Sequence, residues 1–557
     1  MSADGSQQNA SLLQDIPEHL LCIVFEFLLG WKETQIDRDE ELRISTVRNA
    51  RLTCWYFNEL ASPYLLPVLT INLNPQSINH ATEISSHELI ASGIHQLRIS
   101  LSYYPQLLAN SFRFFVMFQM HSLRSVSTWL GRTQQDISSI PEDLEAAMAK
   151  LESRPENSRL ISTAGDADFT LLNVLEQSHD VFRQRHQEQA AVVKDNFLSQ
   201  VESISRRARH IDTLNIVQEA YPIALSLGQQ FMQREYHQRR LDEDAEMLES
   251  VKRFFQRPLS WPDVQCWAHQ WYSQCSLRVE LPATEIPWEA PIAIYQAGRK
   301  LRRLWLNCFL LSCEMHESFK SFVRESVMLA RIRSLRTACQ YIEEFCIVRP
   351  GCWGPMDAYS SYRDGETYIS EHVLSIISGK RLQKLIIRMH PKKSPPWNDR
   401  YTIGSTLHKR DCSTLTCIFL EHLFFCRTTL RDICMELGGC LREFCLSFIM
   451  LMYDEDGDSD GHGWREIFDI LREKLSTCGT TATDGRVTLA ELKGLEFDEI
   501  TEYDGIDDIY QRCTDYVCGI GNGKNPLDQA EDAIEDATEG ETEDEIRDGT
   551  ENGTEDA

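Results

Sequence analysis

A six-residue pattern of bulky apolar residues, L-x-x-L-x-L, recurs along this 557-residue chain and restricts its fold more than any other feature. The last two apolar residues of each copy alternate with other residues, which is typical of a β-strand that is buried on one face. Successive side chains point to opposite sides of a strand, so the intervening residues are expected to face outward. The copies are Ile94/Leu97/Ile99, Ile211/Leu214/Ile216, Leu301/Leu304/Leu306, Ile342/Phe345/Ile347, Leu382/Leu385/Ile387, Leu420/Leu423/Phe425, Leu441/Phe444/Leu446 and a weaker one at Leu489/Leu492.

The spacing of the copies predicts a repeat architecture. The last five intervals are 41, 40, 38, 21 and 48 residues, close to one or two periods of a leucine-rich repeat of about 20 to 29 residues. Helical patterns flank several copies, as from Trp464 to Leu475. We therefore expect an α/β chain in which residues 68–527 form an irregular leucine-rich-repeat solenoid, with 134–258 as a mainly helical insertion.

The outward positions of the predicted strands mix aromatic residues with charges, as protein-binding surfaces do. Burial of this face under a neighbouring helix is the alternative. The candidate substrate-binding residues are Arg303, Trp305, Lys384, Ile386, Arg388, His422 and Phe424. Outward positions in the earlier copies include Gln96, Arg98, Thr213 and Asn215.

One strongly basic stretch stands out in an acidic chain, at Lys380, Arg381, Lys384, Arg388, Lys392, Lys393 and Arg400. Such a cluster can recognise an acidic or phosphorylated segment of a target. Two alternatives stay open: neutralisation by an acidic part of the same chain, and a solvated edge.

Composition excludes several classes of protein. The formal net charge of −28 disfavours nucleic acid as a partner, because phosphate binding depends on lysine and arginine. Residues 528–557 carry fourteen acidic side chains against Arg547 alone, so this tail is expected to be disordered, as is the polar segment 1–14. The sequence shows neither a membrane-length apolar run nor a secretory signal, so we expect a cytoplasmic or nuclear protein with reduced cysteines and no membrane partner.

Two apolar helices are predicted before the first strand. Pro17 and Glu18 suit the first turn of one helix, and Leu20, Val24 and Leu28 follow at four-residue spacing. Val47, Ala50, Cys54 and Phe57 lie on one side of a second helix that is expected to end before Ser62.

These residues carry a family resemblance. The patterns Ile16-Pro17-x-x-Leu20-Leu21-x-x-Val24-Phe25-x-x-Leu28 and Leu52-x-Cys54-x-x-Phe57-x-x-Leu60, with Pro67, resemble the F-box that heads fungal proteins with leucine-rich-like repeats. The resemblance assigns an F-box to residues 15–67. The rest of the chain is similar to that family only loosely. The long polar segment from Lys32 to Glu41 departs from the family, which usually has a tight turn there.

The resemblance implies a non-catalytic adaptor of an SCF-type (Skp-cullin-F-box) ubiquitin ligase. The F-box would dock on the Skp-type subunit, the repeats would hold the target protein, and no cofactor would be needed. The implied docking residues are Ile16, Pro17, Leu20, Leu21, Val24, Leu28, Leu52, Cys54 and Phe57. The alternative is a non-degradative interaction scaffold, in which the helical pair caps the first repeat or binds another partner.

No motif predicts catalysis or a metal site. The sequence from Asp456 to Gly461 matches the first half of a calcium-binding EF-hand loop, but Ile467 stands where a bidentate glutamate is required. Hydrolase, metalloprotease and kinase signatures are missing from the sequence.

Overall fold

The structure is a computed structural model. It describes residues 17, 19–21, 23–24, 37–129, 170–194, 197–218, 249, 252–260, 264, 267, 285–308, 325–348, 371–388, 407, 412–438, 440–452, 463–477, 489–493, 495, 506–520 and 524–527. This part of the chain consists of α-helices and parallel β-strands, so the α/β class is confirmed. The predicted disordered segments 1–14 and 528–557 and the loop from Asp456 to Gly461 lie outside the described residues.

The chain divides into two compact units. The first comprises Met1–Leu301, Trp305–Leu310 and Pro350–Pro355, and the second comprises Arg302–Leu304, Leu311–Arg349 and Met356–Ala557. Strand β4, Arg303–Asn307, contributes residues to both units.

The first unit combines helices with three neighbouring parallel strands. Its elements are α1 (Asp37–Thr53), α2 (Trp55–Ala61), a 3-10 turn (Ser62–Tyr64), β1 (Val68–Asn72), α3 (Pro75–Ser86), α4 (Glu88–Ala91), β2 (Gln96–Ser100), α5 (Gln106–Asn110), α6 (Phe112–Trp129), α7 (Thr170–Lys194), α8 (Phe197–Arg207), β3 (Thr213–Val217) and α9 (Ile286–Gln296). Residues 19–21 and 23–24 are also helical. Leu69 pairs with Leu97, and Leu97 pairs with Leu214, which aligns the buried positions of the three strands.

The start of α3 shows how the sequence sets a helix boundary here. Pro75 occupies the first turn, and the Asn74 side chain accepts a hydrogen bond of 2.7 Å from the Ser77 amide. Proline lacks the amide hydrogen that would otherwise be unpaired, and the asparagine satisfies another amide of the first turn.

The segment between β2 and β3 builds a separate apolar core. Phe115, Phe118 and Phe182 on α6 and α7 pack with Phe255 and Trp267 from beyond β3. Because β3 lies within 134–258, the predicted helical insertion consists of segments on both sides of this strand. Tyr103 and Leu259 exchange backbone hydrogen bonds of 2.9 and 2.8 Å, which attach the later segment to the end of β2.

The second unit contains five neighbouring parallel strands and a separate pair. Its elements are α10 (Glu325–Cys339), β5 (Glu344–Val348), β6 (Lys384–Arg388), β7 (Cys417–Glu421), β8 (Phe424–Cys426), α11 (Arg427–Glu436), β9 (Glu443–Ser447), β10 (Met450–Met452), α12 (Gly463–Thr477), β11 (Leu489–Lys493) and α13 (Ile506–Val517). Neighbouring strands follow the order β5, β6, β7, β9 and β11, while β8 pairs with β10. The predicted helix at Trp464 to Leu475 is confirmed, with Ile467, Leu471 and Leu475 buried.

One hydrogen-bond arrangement recurs at the start of the strands. The carbonyl of the residue before a strand accepts from two successive amides of the next strand's start, as Glu343 O does from Gln383 N at 2.7 Å and Lys384 N at 3.0 Å. The same arrangement occurs at the carbonyls of Pro67 and His95 in the first unit and of Arg302, Gln383 and Thr416 in the second. Each strand therefore enters its ladder in the same register relative to its neighbour.

Two of these strands are preceded by a glycine at a point where two backbone segments lie in close contact. A β-carbon at Gly93 would overlap the Pro63 carbonyl, and one at Gly438 would overlap the Ser413 carbonyl. Both glycines lie between a helix and the following strand, where the chain passes close to the segment before the preceding strand. Only a residue without a side chain fits this approach.

Candidate functional site

Two surfaces carry the residues that the sequence singles out. The first is the N-terminal helical region, which we define as the described residues of 17–24 together with Asp37–Tyr64. The second is the strand face of the second unit, which we define as the outward residues of β5, β6 and β7: Glu344, Cys346, Lys384, Ile386, Arg388, Phe419 and Glu421.

The N-terminal helical region has its own small core. Leu21, Val47 and Ala61 are buried together, and Tyr56, Phe57, Leu60 and Leu65 are among the side chains that pack against them. Polar contacts hold the helices: Arg51 Nε donates to Asn58 Oδ1 at 3.1 Å, and Arg43 Nη1 donates to the Tyr64 carbonyl at 2.5 Å. The region is thus built around Leu21 and the inner faces of α1 and α2.

A break at Cys54 divides the predicted second helix. Cys54 has an extended backbone, with φ of −159°, and its Sγ accepts a hydrogen bond of 3.4 Å from the Phe57 amide. It therefore caps α2 where the sequence predicted one continuous helix. Upstream, α1 begins at Asp37, so part of the polar segment from Lys32 to Glu41 is helical.

Several large apolar side chains of this region point to solvent. Leu20 is 45% exposed and Val24 49%, while Leu52 on α1 is 85% exposed. Ile23 and Trp55 are exposed as well. An exposed group of this kind in one small region is a mark of an interaction surface, since single exposed apolar residues are otherwise scattered.

The structure separates the implied docking residues into two sets. Pro17, Leu20, Val24, Leu52 and Cys54 are exposed, whereas Leu21 is buried and Phe57 is half-buried in the core of the region. Leu21 and Phe57 therefore support the helices. Ile16 and Leu28 lie outside the described residues. The prediction from the sequence did not include Trp55 and Ile23. Large apolar residues directly beside a docking motif are a signal that could have identified them.

The strand face shows the alternation that the motif predicts. In β6, Leu385 and Ile387 are buried while Lys384, Ile386 and Arg388 are not. Strand β4 alternates in the same way, with Arg303 and Trp305 half-buried. Partial burial lowers the pKa of Arg303 against the opposing influence of Glu344 and Glu343.

The repeat assigned to Leu420, Leu423 and Phe425 is placed differently by the structure. Strand β7 begins at Cys417, and its buried residues Ile418 and Leu420 pair in register with Leu385 and Ile387. We call the ladder of β5, β6, β7, β9 and β11 the main sheet of the second unit. The copy that lies in it is therefore Leu415/Ile418/Leu420, and its outward residues are Phe419 and Glu421. The prediction that His422 and Phe424 lie on the strand face beside Lys384 is thus corrected: His422 follows β7 with a φ of 56°, and Phe424 belongs to β8 in the separate pair.

A similar correction applies at the end of the sheet. In β11, position 490 pairs with Phe444 and Leu492 with Leu446, so the register places positions 490 and 492, not 492 and 494, opposite the apolar pair of β9. In the first unit, β1 supplies a further copy beyond those predicted from the sequence, because Leu69 and Ile71 pair with Leu97 and Ile99.

The outward residues of the first unit do not form an exposed surface. Gln96, Thr213 and Asn215 are all buried, and Arg98 is half-buried. The expectation that these positions line a free face is therefore wrong for β2 and β3. In the first unit the outward face of β2 and β3 is therefore covered, as the alternative predicted. In the second unit the strand face is partly exposed.

Charges on the strand face are paired with neighbours on adjacent strands. Lys384 Nζ lies 3.4 Å from Glu344 Oε1, and Arg388 Nε lies 3.6 Å from Glu421 Oε2. The Arg388 guanidinium also lies 5.5 Å from the centre of the Phe419 ring. These two cations of the basic stretch are thus neutralised within the sheet; Lys392, Lys393 and Arg400 lie outside the described residues.

The cysteine side chains of β5 and β7 have raised pKa values and low reactivity. Burial raises the pKa of Cys346 to about 11, and burial together with a hydrogen bond to Glu443 raises the pKa of Cys417 to about 12. The thiolate is the reactive form, so neither residue is a nucleophile near neutral pH.

The described residues offer no support for metal chemistry or a membrane span. Within them, no group of three or more histidine, cysteine, aspartate or glutamate side chains is placed to bind a metal ion. Nor does any helix in this part of the chain have the length and apolar content to cross a membrane.

Comparison with known proteins finds no match. No protein-family model, curated protein or solved structure matches the chain.

Proposed function

We propose that the chain is a non-catalytic substrate-recognition adaptor of an SCF-type ubiquitin ligase. The observation that carries the proposal is the exposed apolar group Leu20, Val24, Leu52 and Trp55, on helices whose core closes without them. An adaptor subunit with an apolar groove would remove these side chains from water. Such helix-in-groove contacts use large apolar anchors from one helical surface.

The energetic basis is the apolar area that docking would bury. Each large side chain taken fully out of water stabilises a complex by about 1.5–3 kcal/mol, before the costs of association are subtracted. Leu52 and Trp55 are the most exposed members and lie only three residues apart, on either side of the break at Cys54. We place the centre of the docking surface there.

The strands are proposed to form an irregular leucine-rich-repeat solenoid that presents the target-binding surface. Within each unit, the aligned apolar pairs and the recurring double acceptance at one carbonyl support this interpretation. From Leu415 to Leu441 the repeat length is 26 residues, within the range of about 20 to 29 typical of such repeats.

We propose that Ile386 and Phe419 anchor the target protein. They are paired across β6 and β7, and the ion pairs Lys384–Glu344 and Arg388–Glu421 flank them. Exposed ion pairs contribute little stability, about 0–1 kcal/mol. Their main effect is to set the orientation in which a partner binds. This arrangement fits a target segment with apolar anchors and mixed charges better than one dominated by phosphate.

Association with a Skp-type subunit in cells tests the proposal. Full-length chain carrying Pro17→Ala with Leu20→Asp should lose co-purification with the Skp and cullin subunits. Leu329→Asp is the matched control, because Leu329 is 48% exposed on α10 and lies in the second unit. Persistent association of the double variant would sink the docking assignment, whereas loss of association in both the double variant and the control would point to general misfolding.

A scaffold without ligase function is the second candidate, and one contact favours it. Arg43 binds the Tyr64 carbonyl, and Leu65 packs on the core of the N-terminal helical region, directly before β1. These contacts are those expected of a cap on the first strand. If residues 15–61 are deleted and the remainder still folds, unchanged abundance of bound partners in cells would favour the scaffold over the adaptor.

A further inference from the structure

A polar cavity of about 520 Å³ opens on the first unit, and none of its lining residues belongs to either surface defined above. Its walls come from the end of α3, from α4 with the following Ser92, and from the end of α8 with the loop before β3. We call it the arginine pocket and define it by Ser86, Glu88, Ser92, Arg207, Arg209 and His210. Ala91 is the one apolar side chain among its lining residues.

The chemistry of the walls selects for anions. Two guanidinium groups and an imidazole face one carboxylate, in a chain where Asp and Glu outnumber Lys and Arg by 84 to 56. Among the described residues, neither Arg207 nor Arg209 forms an ion pair with a carboxylate. Most other arginines with described side-chain partners in this chain are placed against acidic or aromatic groups, as Arg302 is against Glu343.

Arg207 is held in place by the helix beside it. Its Nη1 donates to the Thr82 carbonyl at 3.2 Å and to Ser86 Oγ at 3.0 Å. Thr82 lies one turn before the end of α3, and its carbonyl also accepts hydrogen bonds from the Ser85 and Ser86 hydroxyls. This contact orients the guanidinium, and its other N–H groups stay available, since the fork carries five donors.

Arg209 has a fixed backbone and an available side chain. Its carbonyl accepts a hydrogen bond of 2.8 Å from Arg299 Nη1, which anchors the loop. His210 follows, with its ring centre 6.1 Å from that of His95. A rigid loop that presents a guanidinium and an imidazole costs little ordering entropy when a ligand binds.

We propose that the arginine pocket binds a phosphate group, either the monoester of a phosphorylated residue or inorganic phosphate. Guanidinium groups match the oxygens of a phosphate in two-pronged hydrogen bonds. The hydroxyls of Ser86 and Ser92 already donate to the carbonyls of Thr82 and Leu89, so the two arginines and the imidazole are the groups proposed to hold the phosphate. The lining has no phenylalanine, tyrosine or tryptophan ring, so its main recognition elements are the charged groups. The group is carried either by a phosphorylated serine of a peptide or by free inorganic phosphate, and this site does not depend on the proposed adaptor function.

Calorimetric titration of the full-length protein tests the proposal. The probes are inorganic phosphate, the peptide Ala-Ala-phosphoserine-Ala-Ala and the same peptide without phosphate, each at 0.05 and 0.15 M salt. We expect phosphate-bearing probes to bind and the unphosphorylated peptide to show no binding. A tighter Kd for the phosphopeptide identifies a peptide as the source, and an equal or tighter Kd for inorganic phosphate identifies a small phosphate.

Variants make the assignment specific. Arg209→Gln should weaken the Kd by about tenfold to a hundredfold, because a charged hydrogen-bond pair is removed. Arg206→Gln is the matched control: Arg206 lies in the last turn of α8, three residues before Arg209, pairs with Glu202 and does not line the pocket. Equal weakening by both variants, or no binding of any phosphate probe to folded wild-type protein, would overturn the proposal. Arg209→Gln should leave association with the Skp-type subunit unchanged, so failure of the phosphate proposal can be distinguished from failure of the ligase proposal.

Discussion

The rings of His422 and Phe448 stack in parallel, with centres 4.4 Å apart and planes 7° from coplanar. Both residues have positive φ angles, 56° and 52°, which non-glycine residues rarely adopt. They occupy equivalent places, directly after β7 and directly after β9, and the His422 amide donates to the Ser447 carbonyl at 2.9 Å. The left-handed turn is therefore a repeated feature that leads each chain segment from the main sheet into the separate pair of β8 and β10.

Substitution at these two turns should separate backbone strain from ring stacking. His422→Val and Phe448→Val should each lower the free energy of unfolding of the second unit by about 1–2 kcal/mol, because a β-branched residue fits this backbone poorly. His422→Asn should cost less, since asparagine tolerates the conformation. Urea unfolding followed by fluorescence measures the difference, and equal effects of valine and asparagine would show that φ is not the limiting factor.

The same turns explain why one repeat was assigned to the wrong strand from the sequence. Leu415, Ile418, Leu420, Leu423 and Phe425 satisfy two overlapping copies of L-x-x-L-x-L, with Leu420 ending one and starting the next. Apolar spacing alone cannot distinguish them, because both copies are buried. The choice depends on the left-handed backbone of His422. Histidine is enriched at positive φ among non-glycine residues, but that preference is too weak to fix a turn from the sequence.

Other parts of the fold followed directly from the pattern. The strands at Leu97, Leu214, Leu304, Phe345, Leu385 and Phe444 were predictable because each copy places two apolar residues on one face. The covering of Gln96 and Asn215 was not, since it depends on packing between distant segments. The break at Cys54 also escaped prediction, because neither glycine nor proline marks it.

Glycine at the close approaches should be irreplaceable. Gly438→Ala and Gly93→Ala place a methyl group against backbone carbonyls, which cannot move as a side chain can. We expect a loss of unfolding free energy of about 1–3 kcal/mol or more for each. Gly463→Ala is the control, because its nearest neighbour would be the flexible end of Leu451 at 3.3 Å. Wild-type thermal midpoints for Gly438→Ala and Gly93→Ala would contradict the assigned helix-to-strand geometry.

Thiol labelling should distinguish the surface cysteines from those in the repeats. Cys54 and Cys440 are exposed, whereas burial raises the pKa of Cys308 and of Cys513 to about 12. Iodoacetamide at pH 7.5 should modify Cys54 within minutes and spare the buried pair in folded protein. Mass spectrometry of digests identifies the sites, and comparable labelling of Cys308 and Cys54 would refute the buried position of β4.

Stability of the first unit should fall on acidification because of His179. Burial against Phe112 and Phe115 lowers the pKa of His179, although its Nε2 lies 3.0 Å from the Leu108 carbonyl. A lowered folded-state pKa means that the unfolded chain binds the proton more readily. Its contribution is therefore complete above the ordinary histidine pKa of about 6.5 and is lost as pH falls below it.

The variant His179→Gln isolates this residue. Urea midpoints at pH 7.5 and pH 5 should differ more in the wild type than in His179→Gln, because the variant has no proton to gain. Both proteins share the remaining titratable groups, so their difference reports on His179 alone. An identical pH dependence in the two proteins would rule out a titrating role for this side chain.

The most direct test of the adaptor account is a binding measurement with purified components. The full-length protein and a Skp-type adaptor subunit are mixed, and the Kd is measured by calorimetry for wild type, Leu52→Asp with Trp55→Ala, and Leu329→Asp. The account predicts tight binding for wild type and Leu329→Asp, and a loss of at least about a hundredfold in the double variant, since truncation of central apolar anchors costs about 2 kcal/mol or more each. Equal affinity of the double variant and wild type, or no binding by any of the three folded proteins, would contradict it.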